Sequence, residues 1–267
     1  MRVVRSILSV LLSVAALGSA TAADMPTLKG AQAPPTSPGA GWSGPYLGWF
    51  GAVSWADPAG GYAISSASLA AAPPTIPVLD AAGSRPLSLN GGGLGIDAGE
   101  NWRVNRLFVV GVEGDLAWTG LKGAQLVTGT VPNLGVPFHM AQNSRIDWES
   151  SLRLRAGITP VDPMLLYVTA GPKLAHVRYT SSYADAASEA ESPSSSGFSA
   201  GWALGAGAAW AVDANWTIKT EYIYSQIAAA KGAGSYALTD GTIADVAHFS
   251  GALKENSVRV GLDYRFP

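Results

Sequence analysis

Residues 147–158 read DWESSLRLRAGI. Sorted by parity, Asp147, Glu149, Ser151, Arg153, Arg155 and Gly157 fall on one side, and Trp148, Ser150, Leu152, Leu154, Ala156 and Ile158 on the other. Side chains of a strand alternate between two faces, so a strand here carries all four charges on one face and nearly every apolar group on the other. A helix would scatter those charges around its circumference. The segment is a strand with one oily and one ionised face.

The same split recurs along the chain. In residues 256–266, Val258, Val260, Leu262, Tyr264 and Phe266 oppose Ser257, Arg259, Gly261, Asp263 and Arg265. Residues 216–224 set Trp216, Ile218, Tyr222 and Tyr224 against Thr217, Lys219 and Glu221, and residues 108–118 set Phe108, Val110, Val112, Leu116 and Trp118 against Gly111, Glu113 and Asp115. Weaker alternation marks 46–55, 92–102, with Asp97 on its polar side, 165–176 and 198–212. Pro172 cannot donate to a ladder, which predicts a bulge or local gap there. The count is eight strands of about ten residues, the length a tilted strand needs to cross a bilayer.

The connections sort by length. Residues 103–106, 159–163 and 213–215 are tight, whereas 56–90, 119–146, 178–197 and 226–255 are long. Antiparallel up-and-down order then gathers all long loops at one end, the asymmetry of outer-membrane barrels with short periplasmic turns. Energetics assigns the faces. A closed sheet satisfies its own backbone, as hydrocarbon demands, and a lipid-facing Arg or Lys near the midplane costs about 2–4 kcal/mol. Arg153, Arg155, Lys219 and Arg259 together would exceed a typical folding margin of about 5–15 kcal/mol. They must face a lumen, where Asp97, Glu113, Asp115, Glu149, Glu221 and Asp263 can neutralise them as a charge network. Trp49, Trp55, Trp102, Trp118, Trp148, Trp210, Trp216 and Tyr264 fall mostly near strand ends on the apolar parity, as interfacial aromatic girdles do. Glycines on the polar parity leave room in a narrow interior.

The whole chain has 267 residues, 13% charged and 48% hydrophobic, with no Cys. That excludes disulfide frameworks, thiolate metal sites and thiol catalysis. A formal charge of −2 offers no footprint for nucleic acid. Residues 1–22 have the basic start, apolar run and small-residue end (Ala20-Thr21-Ala22) of a secretory signal peptide. Losing Arg2 and Arg5 takes the charge to −4. Residues 23–41 form a Pro-rich lead-in, and 42–267 the barrel. No 18-residue apolar run follows the signal.

Gly44-Pro45-Tyr46-Leu47-Gly48, the stretch from Gly95 to Asn101-Trp102, VVGVEGD at 109–115, KTEYIY at 219–224 and VRVGLDYRF at 258–266 resemble the small opacity-type, porin-like outer-membrane β-barrel family of alphaproteobacteria, over about residues 42–266. The resemblance implies an all-β, eight-stranded antiparallel up-and-down transmembrane β-barrel in the cell outer membrane, inserted by the outer-membrane assembly machinery. Tyr264 and Phe266 look like that family's C-terminal assembly signal, although Pro267 follows where the family ends on the aromatic. Some relatives are reported to bind haem, and His139-Met140 and His248-Phe249 are the residues that could bear on this.

Motifs for chemistry are sparse. Gly-rich runs at 91–95 and 205–207 lack the Gly-Lys-Ser/Thr of a phosphate loop. His139, His176 and His248 are solitary, without metal-ligand spacing. A rim Ser–His–acid set could recruit His176 with Ser181 or Ser182, as in some lipid-modifying barrels. The expectation is no enzyme, no cofactor and no metal. Outer-membrane lipid and the assembly machinery are the expected partners, together with an extracellular ligand taken by the loops. The expected role is a membrane-anchored envelope and surface barrel with a charge-plugged or narrow lumen. A small-solute porin, a haem receptor and a rim lipid hydrolase stand as alternatives.

Overall fold

The structure, a computed structural model, describes residues 41–66, 81, 87–131, 135–185, 194–228, 232–237 and 243–267. The expected signal peptide at 1–22 and residues 23–40 of the expected Pro-rich lead-in lie outside the described residues. Among those described, nine strands run in order: β1 (Gly44–Ser66), β2 (Leu89–Arg103), β3 (Phe108–Val131), β4 (Val136–Val161), β5 (Met164–Asp185), β6 (Ser194–Ala211), β7 (Trp216–Ala228), β8 (Gly232–Ala237) and β9 (Ile243–Arg265). Each of β1–β7 pairs antiparallel with its neighbour, β7 pairs with β9, and β9 returns to β1, closing an eight-stranded ring. The short β8 lies outside the ring's count, pairing only with residues 243–249 of β9. No described helix is long and apolar enough to cross a membrane.

The pleat sets the faces. On β4, Glu149, Ser151, Arg153 and Arg155 are buried inside, while Leu152 and Leu154 are 58% and 71% exposed outside. From Phe108 to Trp118, β3 climbs about ten residues, about 25 Å at 3.4 Å per residue and a tilt near 40°, the height of a lipid-facing apolar band. Near Pro172 the β4–β5 ladder loses two rungs, between Ser151↔Lys173 and Leu154↔Ala170, without changing register. Gly171 permits the close approach there, since a Cβ on it would overlap the Leu152 carbonyl.

The long connections differ from the sequence expectation. Residues 121–131 and 136–146 are not a loop: β3 and β4 stay paired from Leu121↔Ile146 to Val131↔Val136 as a ribbon, which β5 flanks as far as Phe138↔Asp185. β5 and β6 extend likewise, pairing as far as Thr180↔Ser194, and β1 follows β9 to Ser66↔Asp245. The physical reason is the change of solvent. Beyond the bilayer the outward face no longer has to be apolar, so the alternation fades although the backbone ladder goes on. A bulge marks the junction. Between Trp118↔Trp148 and Leu121↔Ile146, β3 has one residue more than β4, and β4 has one more than β5 at Asp147. The inward parity of β4 changes there, from Glu149 below to Ile146 above.

At the opposite end the turns are short. The Asp213 carboxylate accepts the backbone N–H groups of Trp216 and Asn215, both at 2.8 Å. Those bonds hold its pKa below the usual carboxylate range. A depressed pKa means that the turn gains stability above the ordinary carboxylate pKa and loses it as pH falls through the folded value.

Candidate functional site: the ionised interior and the two rims

The interior is layered. Towards the turn end, Trp42, Val109, Leu165, Tyr167, Ala209 and Ala211 form one apolar cluster. At the ribbon end a second contains Leu89, Leu121, Ile146, Val177, Ile227 and Leu253. Between them lies the charge belt. Its hub is Glu113 on β3, fully buried. Glu113 Oε1 accepts Arg153 Nη2 at 2.7 Å, and its Oε2 accepts Arg155, Lys219 Nζ at 3.1 Å and the Tyr46 hydroxyl at 2.8 Å. Arg153 reaches across the lumen to Glu221 at 3.0 Å and to Asp115 at 3.2 Å. Lys219 joins Asp97 at 2.9 Å and Asp263 at 3.1 Å, and Arg259 pairs with Asp115 at 3.2 Å. Glu149 meets Lys173 at 2.8 Å.

All ten residues expected to form the lumen network therefore point inward, and each makes an ion pair with another buried charge. Sequence reading missed Lys173 and Glu255, which pair at 2.5 Å and complete a second cluster with Ser225. Lys173 sat visibly on the polar parity of 165–176, whereas Glu255 lay at the border of what read as a loop. The inward aromatics were also missed. Arg155 stacks 4.1 Å from the Tyr167 ring centre, and Arg259 lies 4.5 Å from that of Phe50. Such contacts stabilise desolvated cations. The lumen face of β6, by contrast, is small: Ala203, Gly205, Gly207 and Ala209 leave space for side chains crossing from other strands.

The expected girdle residues all lie on outward-facing parity. Trp49, Trp102, Trp118 and Trp210 are exposed, and Trp55, Trp148, Trp216 and Tyr264 half-buried. They divide between the ends. Trp216 stands 5.0 Å from Tyr264 and 5.9 Å from Trp49, and Tyr264 stands 5.2 Å from Phe266, near the turns. At the ribbon end Trp118, Trp148, His176 and Phe198 are successive cross-strand partners. Phe266 donates its N–H to the Pro45 carbonyl at 3.0 Å, which fastens the end of the chain to β1.

The histidines fall apart from one another. His139 is on β4 and His248 on β9, strands that are not neighbours in the ring. Among the described residues no group of three His, Asp or Glu is placed to hold a metal ion. His176 does not meet the serines expected for a rim set: Ser181 is buried, facing inward. Its Nε2 instead lies 3.2 Å from Ser196 Oγ, and its Nδ1 lies 3.0 Å from Asp147 Oδ2. Neither Ser196 nor Asp147 was singled out for that role, because the bulge that turns Asp147 outward leaves no mark in the alternation.

A closed antiparallel ring, oily outside and ionised inside, defines a β-barrel protein of the outer membrane. The family model of the outer membrane protein beta-barrel domain matches residues 9–266, and the chain belongs to that family. It is 31% identical over 185 residues to the 31 kDa outer-membrane immunogenic protein of Brucella melitensis, covering 68% of this chain and 70% of that one. The Brucella suis protein of the same name matches equally. Among solved structures, the attachment invasion locus protein Ail of Yersinia pestis aligns at 16% identity over 81% of this chain and 99% of that one, with a TM-score of 0.33. The outer-membrane protease OmpT of Escherichia coli aligns at 10% identity over 84% and 96%, with a TM-score of 0.43. The chain is an outer-membrane protein.

Proposed function

We propose that this barrel is a non-enzymatic envelope and surface protein. It anchors in the outer membrane, carries its ribbons and loops on the cell exterior for surface interactions, and keeps its interior shut. The carrying observation is the belt of buried ion pairs held between two apolar layers. Eight strands enclose little more than their own side chains, and an apolar layer at each end resists wetting. Among the described residues the belt holds five cations (Arg153, Arg155, Lys173, Lys219, Arg259) against seven carboxylates, so any leak favours cations. Tyr264 and Phe266, at the end of the closing strand, serve as the signal read by the assembly machinery. Planar-bilayer recording on the refolded protein is expected to show no stable openings, or only small cation-selective ones. Long-lived openings of high conductance would instead establish the porin reading.

One observation favours a second reading, lipid hydrolysis at the rim: Ser196, His176 and Asp147 are linked in the order of a serine-hydrolase triad. Asp147 is also bound by Arg145 at 2.5 Å and Arg178 at 2.7 Å, as a carboxylate anchoring a cationic patch would be. Release of fatty acid from phospholipid vesicles is expected to be equal for the wild type and Ser196→Ala. Release lost in both Ser196→Ala and His176→Ala would establish the enzyme.

A further inference from the structure

Directly above the ribbon-end aromatic row, the outer face carries a row of cations. Lys122 on β3 pairs in register with Arg145 on β4, and Arg145 with Arg178 on β5. All three side chains are exposed. Cross-strand partners stand about 4.5–5.5 Å apart, and like charges so placed repel. Asp147, turned outward by the bulge, answers two of them, at 2.5 Å from Arg145 and 2.7 Å from Arg178. Lys122 has no carboxylate within ion-pair distance among the described residues. Asp57, farther round the rim, accepts the Ser88 hydroxyl at 2.7 Å. A cleft of about 700 Å³ opens over this patch, bounded by Lys122, Asn143, Arg145, Arg178 and Thr180. Three cations sharing one carboxylate, beside Asn and Thr donors, leave net positive charge for a polyoxygen anion.

Position names the anion. Trp118, Trp148 and Phe198, in the row beneath, are interfacial aromatics, and the cations begin two to four residues farther out. That is headgroup depth on the external side. We propose that Lys122, Arg145 and Arg178 bind a phosphate group of an outer-leaflet lipid, with Trp148 and Phe198 packing against its upper chain. His176 lies parallel to Trp148 with ring centres 6.1 Å apart, and edge-on to Phe198 at 5.5 Å. Its Nδ1 lies 3.0 Å from Asp147 Oδ2, so the carboxylate that competes for Arg145 and Arg178 is held beside the aromatic row. The site rests on the barrel's place in the membrane and not on whether its lumen is shut.

The test uses the refolded full barrel in neutral detergent, with lipid A carrying two phosphates, the same lipid dephosphorylated, and inorganic phosphate as probes. Native mass spectrometry or a fluorescence titration reads binding. Wild type is expected to prefer the phosphorylated lipid, and K122Q/R145Q/R178Q to lose about tenfold or more of that affinity. Asp147→Asn removes the one competing carboxylate and should tighten binding, so an effect of opposite sign is available if the triple variant refolds poorly. Binding should weaken as salt rises. Equal binding of the phosphorylated and dephosphorylated lipids would overturn the site, as would equal affinity of wild type and a folded triple variant. Inorganic phosphate binding as tightly as the lipid would overturn the lipid assignment.

Discussion

Glu113→Ala should cost the folded barrel about 3–5 kcal/mol, the penalty for removing one partner of a buried ion network. Three cations converge on this carboxylate, from Arg153, Arg155 and Lys219, and the Tyr46 hydroxyl donates to it as well. The alanine leaves Arg155 without any carboxylate partner among the described residues, since its sole ion pair there is with Glu113. Arg153 retains Asp115 and Glu221, and Lys219 retains Asp97 and Asp263. The damage should therefore centre on Arg155, whose stacking on Tyr167 cannot replace a counter-charge. Urea unfolding of the refolded protein in detergent, followed by the heat-dependent gel mobility of folded barrels, measures the loss. Glu113→Gln keeps the shape and one acceptor oxygen while removing the charge and turning an NH2 donor toward the surrounding donors, so it should fall between wild type and alanine. A penalty under about 1 kcal/mol for the alanine would mean that the belt contributes little to closing the ring. Bilayer recordings on the same variant give a second readout, because deleting the hub opens space in the belt and should raise the frequency of brief openings.

How much of this was legible in the chain depends on which solvent each face meets. Between the aromatic rows one face meets lipid and the other a confined interior, so alternation is strict. Residues 149–158 and 256–266 declared strand, face and ion-pair candidates together, whereas Asp147, given the inward face by the same alternation, is turned outward by the bulge. Ring order and closure followed, because antiparallel neighbours joined by short turns admit few arrangements. Beyond the rows that contrast disappears. The β3–β4 ribbon therefore read as a loop, and Glu255, which stands where β9 crosses the boundary, was left out of the network. Pairing choices within the lumen were also hidden. Parity says that Lys219 faces inward, but only the register of β7 on β9, and of β9 and β2 on β1, decides that it meets Asp263 on the adjacent strand and Asp97 three strands away. Gly48 shows the same limit. A Cβ there would overlap the Asp263 carboxylate, a constraint between residues 215 positions apart that no local pattern encodes. The outer cationic patch depends on a bulge, and one extra residue in a strand has no compositional signature.

Leu154→Arg tests the assignment of faces from the lipid side, and its expected effect is next in size. Leu154 is 71% exposed on the outside of β4, paired with Val112 and Ala170 on the neighbouring strands. It stands six residues below Trp148 and four above Ile158, near the middle of the apolar band. An arginine there has no carboxylate on its own face: the outward neighbours are Leu152, Ala156, Val112, Ala170 and Val168. The cost should be about 2–4 kcal/mol, read as a lower folded fraction in vesicles at fixed urea. Thr128→Arg is the matched control. Thr128 is also an outward, exposed strand position, partnered by His139 on the ribbon, but it lies ten residues above Trp118, where water replaces lipid. Its cost should stay below about 0.5 kcal/mol, as for ordinary surface substitutions. The contrast between two outward arginines isolates the surrounding solvent, because backbone state and exposure are alike at both. In detergent-free buffer no such contrast would exist, and equal tolerance of both substitutions in vesicles would mean that the oily face of β4 does not meet lipid at all.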